Sequence, residues 1–196
     1  MFLINPYTYS VVTPFSNTLS TTFDGVDDYV AIGNPTELQI TGALSISFWY
    51  KSSSSTDQFA VGKDGLGTFR SFAVWTNSYG APQNINFYVF SSGAITQVFS
   101  SSNYNDGNWH NVNCIFIPST SLSIYVDGVL DGTNTTSIPS TIDNTTGNFD
   151  LGSLVSSGSP LFPFNGNLDE VAVWNSDQTS NVSTIYNSGT PIDLTS

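Results

Sequence analysis

Leu44-Ser45-Ile46-Ser47-Phe48-Trp49-Tyr50 alternates its side chains with a period of two, as does a strand with one face against a core. Similar runs stand on either side of it. Phe23 and then Tyr29, Val30 and Ile32 flank the acidic turn Asp24-Gly25-Val26-Asp27-Asp28. Gln58 to Val61, Phe69 to Trp75, Ile85 to Phe90, Ile95 to Phe99, Trp109 to Ile117 and Leu122 to Val126 follow at short intervals. Turns such as Asn105-Asp106-Gly107-Asn108 and Val126-Asp127-Gly128-Val129 separate them, and Asp-Gly pairs tolerate the positive φ that hairpins demand. Many short strands at this spacing indicate a sandwich or barrel rather than βαβ units.

Composition points the same way. The chain has 196 residues, 39% of them hydrophobic and 14% aromatic, which is enough for one domain with a substantial core. Only 9% are charged, so Ser, Thr, Asn and Gly carry solubility, and these suit strands and turns better than long surface helices. One helix is expected, over Thr179–Asn187, where Val182, Ile185 and Tyr186 fall at i, i+3, i+4 and Gly189 supplies a stop. Residues 133–147 read as a long connection without apolar periodicity. The organisation expected is an N-terminal arm or extra strand over 1–16, broken by Pro6 and Pro14, followed by one domain over 17–196.

The formal net charge of −12, with Lys51, Lys63 and Arg70 as the only Lys and Arg, argues against nucleic-acid binding, which needs a basic footprint. It disfavours an anionic membrane surface for the same reason, and no run approaches the ~20 apolar residues of a membrane span. A neutral glycan or a cation remains compatible with this charge. Cys114, the single cysteine, excludes an intrachain disulfide and reads as a buried, inert thiol. The N-terminus lacks the basic and apolar regions of a signal peptide, so a place outside the cell or on a virion surface is expected to be reached without one.

Five phrases in order resemble the laminin-G-like jelly rolls of the concanavalin A type. They are Phe23-Asp24-Gly25-Val26-Asp27-Asp28-Tyr29-Val30, Leu44 to Tyr50, Asp106-Gly107-Asn108-Trp109-His110-Asn111-Val112, Leu122-Ser123-Ile124-Tyr125-Val126-Asp127-Gly128-Val129, and Phe164-Asn165-Gly166-Asn167-Leu168-Asp169-Glu170-Val171-Ala172-Val173-Trp174. With Tyr186-Asn187-Ser188-Gly189 behind them they cover about residues 18 to 190. The resemblance implies an all-β, two-sheet antiparallel jelly-roll sandwich with one short C-terminal helix. The family includes glycan-binding modules, adhesion domains and accessory domains of enzymes, so the site must be argued separately.

The resemblance also implies that Asp24 and Asp169 lie close together. With Asp28 and the Gly25 carbonyl they would then offer a structural calcium site, since calcium takes six to eight oxygen ligands. The same Asp-Gly and Asp-Asp pairs are also ordinary turn formers. For a sugar, aromatic faces with short polar neighbours are the candidates: Trp75, Asn77, Tyr79, Tyr88 and Tyr104, with Asn84 and Asn86 nearby. Trp49, Trp109 and Trp174 sit in alternating runs and are read as core. His110 has no nucleophile elbow beside it and is read as a satisfied packing residue.

Hydrolysis of a glycoside needs two carboxylates about 5 to 9 Å apart. Glu37 and Glu170 are the only glutamates, neither has a partner two or four residues away, and Asp169 and Glu170 are expected on opposite strand faces. The expectation is therefore a non-catalytic module for a glycan or cell-surface polysaccharide, displayed in many copies on a bacteriophage virion as a decoration, fibre or adhesin protein. The alternative is a structural domain that docks to virion proteins or forms a homo-oligomer, with the arm as its working part and no glycan ligand.

Overall fold

The structure is a computed structural model that describes residues 17–78 and 84–194. The arm over 1–16 and the candidate Tyr79 lie outside the described residues. The strands are β1 (Thr21–Asp24), β2 (Val30–Gly33), β3 (Leu44–Lys51), β4 (Gln58–Asp64), β5 (Arg70–Asn77), β6 (Asn86–Ser91), β7 (Ala94–Phe99), β8 (Trp109–Ile117), β9 (Ser121–Val126), β10 (Val129–Asn134), β11 (Phe149–Leu151), β12 (Leu154–Ser156), β13 (Ser159–Leu161) and β14 (Asn165–Trp174). One six-stranded sheet runs β1-β14-β3-β8-β9-β10 and a second runs β2-β11-β4-β5-β6-β7, while β12 and β13 form a separate hairpin. Every ladder is antiparallel, as the jelly-roll expectation requires.

The alternation in β3 explains its two faces. Leu44, Ile46, Phe48 and Tyr50 enter the core between the sheets, where they meet Val112, Cys114 and Phe116 of β8 and Phe72, Val74, Phe87 and Val89 of the opposite sheet. Fully burying each such side chain stabilises the fold by about 1.5–3 kcal/mol. Ser45, Ser47 and Trp49 point the other way yet are also buried. The C-terminal segment covers part of that face: Ser45 Oγ donates to the Ser176 carbonyl at 2.8 Å, and Trp49 stacks on Tyr186 at 5.9 Å. Cys114 is wholly buried, and burial pushes its thiol well above the usual range.

The helix is shorter than the periodicity predicts. A 3-10 turn over Thr179–Asn181 leads into α1 (Val182–Tyr186), with Val182 and Ile185 buried. The stop is Asn187, in the left-handed region at φ 45°, rather than Gly189. Tyr186 also packs where a Cβ on Gly128 would sit, 2.8 Å away, so the Asp127-Gly128 turn needs glycine both for its φ of 79° and for this approach. Two further expectations need correction. The connection over 133–147 begins inside β10 and sends Ile142 into the core. Trp109 is 40% exposed, because it begins β8 opposite Lys51.

Candidate functional site

The outer face of the second sheet, turned away from the core, carries a recess of aromatic and polar groups. Register places Asp150, Gly62, Ala73, Tyr88 and Gln97 in one row across β11, β4, β5, β6 and β7. The neighbouring row on this face is Phe59, Trp75, Asn86 and Phe99. Period two sends both rows outward while Val61, Val74, Phe87 and Val98 fill the core. Gly62 keeps the floor low: a Cβ there would lie 2.6 Å from the Cβ of Ala73.

The hairpin of β12 and β13 lies over part of this floor. Leu154 is buried in a second apolar cluster with Phe59, Ala73, Trp75 and Tyr88, and Leu66 and Leu161 pack against it. Two hydrogen bonds fix the hairpin's end: Phe59 N–H donates to the Phe162 carbonyl at 3.0 Å, and Ser153 Oγ donates to the Leu161 carbonyl at 2.9 Å. Phe162 then stands edge-on to Trp75, ring centres 4.9 Å apart, with a backbone φ of 54° and 36% exposure. A bulky residue in the left-handed region is uncommon and marks a conformation held by its surroundings. Between Phe162 and the β7 residues Ile95 and Gln97 lies a cavity of about 320 Å³, walled also by Leu66, Arg70, Trp75 and Tyr88.

The charge inside this recess is balanced. The Asp64 carboxylate is fully buried and accepts from Arg70 Nε at 3.2 Å, from the Tyr88 hydroxyl, and from Leu66 N–H at 2.8 Å. Arg70 also donates from Nη2 to the Tyr88 oxygen at 3.2 Å, and its guanidinium lies over the Tyr88 ring at 5.2 Å. Burial, reinforced by the Asp64 charge, pushes the Tyr88 phenol well up, so it stays a neutral donor. Trp75 is 8% exposed, and its indole N–H is buried with no hydrogen-bond partner among the described residues. Such a donor is costly to leave unmet and calls for an explanation.

Of the residues the sequence nominates for a sugar, the structure therefore brings Trp75 and Tyr88 together, as walls more than as open platforms. Asn77 is buried and donates to the Thr56 carbonyl at 2.7 Å. Asn84 and Asn86 are committed to the carbonyls of Ser100 and Val98. Tyr104 lies elsewhere, its hydroxyl on Asp131 at 2.9 Å and its ring edge-on to His110 at 5.1 Å, and burial together with Asp131 pushes its phenol up to about 12. Sequence reading missed Arg70, Ile95, Gln97 and Phe162. Only the register across four strands and the return of a hairpin bring them together.

The acidic turn is arranged differently from the expectation. Carboxylate oxygens of Asp24, Asp27 and Asp28 lie within 4.8 Å of one another on the surface. Asp24 Oδ1 accepts Val26 N–H at 2.8 Å and Asp28 Oδ2 accepts Asp24 N–H at 3.0 Å, which are turn bonds. An all-oxygen set of this kind suits calcium. Asp169 cannot complete it: β1 and β14 are paired, but Asp24 faces Asn165, and four residues of strand put Asp169 roughly 13 Å further along. Gly25 stays beside the turn with Asn165 against it, and Asp169 belongs to another group.

That group also corrects the two-face reading of Asp169 and Glu170. A bulge in β14 sets Glu170 at φ 46°, and Asn17 Nδ2 donates to both Asp169 Oδ2 at 2.8 Å and Glu170 Oε1 at 3.0 Å. Burial raises the Glu170 carboxyl above its ordinary value. The one amide thus ties both acids together rather than leaving them on opposite faces. His110 is satisfied as expected: Nδ1 meets Asp127 at 2.8 Å and Nε2 meets Asp106 at 3.2 Å.

Residues 24–181 match the laminin-G group described as the concanavalin A-like lectin/glucanases superfamily. No curated protein matches the chain by sequence. Among solved structures it is similar to the heptameric SAP-like pentraxin of Limulus polyphemus, with 14% identity, a TM-score of 0.63, and 84% of this chain and 80% of that one covered. It is similar to domain 4 of an extracellular arabinanase of Geobacillus stearothermophilus in complex with arabinotriose, at 17% identity, TM-score 0.63 and coverages of 85% and 76%. The Ruminococcus gnavus IT-sialidase CBM40 bound to α2,3-sialyllactose matches at 13% identity, TM-score 0.60 and coverages of 86% and 98%. In four further matches this chain spans 40% to 48% of the other chain. At such identities the likeness to solved structures is one of fold.

Proposed function

The chain belongs to the concanavalin A-like lectin/glucanase superfamily, and from that membership we propose that it is a non-catalytic carbohydrate-binding module whose site is the recess between Phe162 and β7. The observation that carries this reading is a cavity whose wall joins the aromatic side chains of Trp75, Tyr88 and Phe162 to the polar groups of Gln97 and Arg70. A sugar combines an apolar ring face with hydroxyls that donate and accept, which matches an aromatic wall with a few polar groups. The arabinotriose and sialyllactose complexes support a glycan ligand on this fold.

One small cavity gives modest affinity, so useful retention at a polysaccharide surface calls for many copies. Display on a virion, or in a homo-oligomer, would supply them, and the low content of Lys and Arg agrees with such a surface protein. An ion held by Asp24, Asp27 and Asp28 would be structural, pinning the turn between β1 and β2.

The test is a glycan panel probed with the wild type and three variants. Gln97→Ala and Ile95→Asp, both in the cavity wall, should abolish the signals of the wild type, while Trp109→Ala, in a separate recess beside Leu19 and Pro191, should keep them. Loss with Trp109→Ala alone would move the site to that recess. Silence of the folded wild type on every glycan would leave the structural docking role in its place.

A further inference from the structure

Given the reading of this recess as a glycan site, we propose that it takes the uncharged end of a sugar chain and that Phe162 makes it an end site. The first argument is the shape of the outer face. On the β4 side the floor is filled: Leu154 packs on Phe59 and Ala73, and the Phe162 carbonyl is tied to Phe59 N–H. On the other side β7 is the last strand of its sheet, and Ile95 there is 42% exposed. A chain that enters over β7 meets the Phe162 ring and cannot continue across the sheet. A site for the interior of a chain would need both sides open.

The second argument is charge. Arg70 is the cation of the cavity, and the buried Asp64 carboxylate already neutralises it. Lys63 is buried on the opposite face of the sheet with its ammonium on Asn144, and the whole chain carries −12. A carboxylate or sulfate on the ligand would find no unmatched positive charge and would enter against the net field. A neutral terminal sugar finds the apolar side chains of Phe162, Trp75 and Ile95 and the polar group of Gln97.

The experiment measures bound protein per gram of immobilised polysaccharide. The probes are a panel of linear neutral polymers, each intact and after partial hydrolysis, with α2,3-sialyllactose and a uronic-acid polymer as anionic probes. If each cavity takes one chain end, cutting the mean length about tenfold raises binding to a recognised neutral polymer about tenfold. Phe162→Gly, which suits a φ of 54° and removes the wall, should bring intact and hydrolysed polymer to equal binding per gram. Binding to intact polymer that does not change on hydrolysis would overturn the end site. Anionic probes bound in a manner that Gln97→Ala abolishes would overturn the neutral preference, and both results would leave the glycan-binding reading standing. No binding to any probe by the folded protein would remove that reading and this inference with it.

Discussion

Asp150→Asn should stabilise the protein near neutral pH and do little in acid. Asp150 sits in β11 opposite Gly62, 2% exposed, with one carboxylate oxygen buried and unpaired among the described residues. Burial pushes its carboxyl up to about 6. An unfolded aspartate titrates near 3.9, so the folded state holds the proton about two pH units more tightly. At about 1.36 kcal/mol per unit, the charged form costs the fold about 3 kcal/mol. For an acid whose folded value is raised, the native state binds more protons than the unfolded state between about pH 4 and 6, so stability falls through that window as pH rises. The amide removes the charge but leaves its own oxygen unmet, so the expected gain is about 2 kcal/mol at pH 7.5 and near zero at pH 4. Urea unfolding followed by tryptophan fluorescence reads this as a midpoint shift of about 1 M at the higher pH. An equal shift at both pH values would refute the reasoning, and so would a fall at pH 7.5, which would mean that the carboxylate is favourably bound.

Three other outcomes are expected. Asp127 and Asp106 hold His110 with its pKa raised, Asp127 contributing most, so this pairing stabilises the fold below the unfolded value near 6.5 and is lost as pH rises through the folded value; Asp127→Asn should flatten that dependence in melts between pH 5 and 8. Calcium bound only by the folded state at a hundred times its dissociation constant would add about 2.7 kcal/mol, or about 5 to 10 °C in Tm. That rise should survive Asp169→Ala and disappear with Asp24→Asn, and no rise over a chelated sample would leave the acids as turn residues. Gly62→Ala should cost about 1–3 kcal/mol by overpacking against Ala73, and a melting curve unchanged from wild type would contradict the close approach of β4 and β5.

The sandwich was legible because its signal is local. The period-two run Leu44–Tyr50 and the Asp127-Gly128 turn each specify strand or hairpin from their own residues, and the structure places both as read. The candidate site was legible only in part, because it is assembled across the sheet. Trp75 and Tyr88 were recognisable as aromatics beside short polar residues, but burial turned them into walls. Phe162 sits 87 positions from Trp75 and meets it only because the β12–β13 hairpin folds back over β4. The bulge at Asp169 and Glu170 defeated an argument from strict alternation, since one residue at positive φ turns both carboxylates onto Asn17. Trp109 is patterned like a core residue yet is exposed where its strand begins.

The most direct measurement is the indole N–H spectrum of the ¹⁵N-labelled protein during titration with a glycan bound on the panel. The chain has four tryptophans, and the signal missing from Trp75→Phe identifies Trp75. Binding in the recess predicts that this signal shifts and saturates with the ligand as a sugar packs against the wall that Trp75 forms, while the Trp109 signal stays in place. Movement of the Trp109 signal with Trp75 unchanged would contradict the assignment of the site.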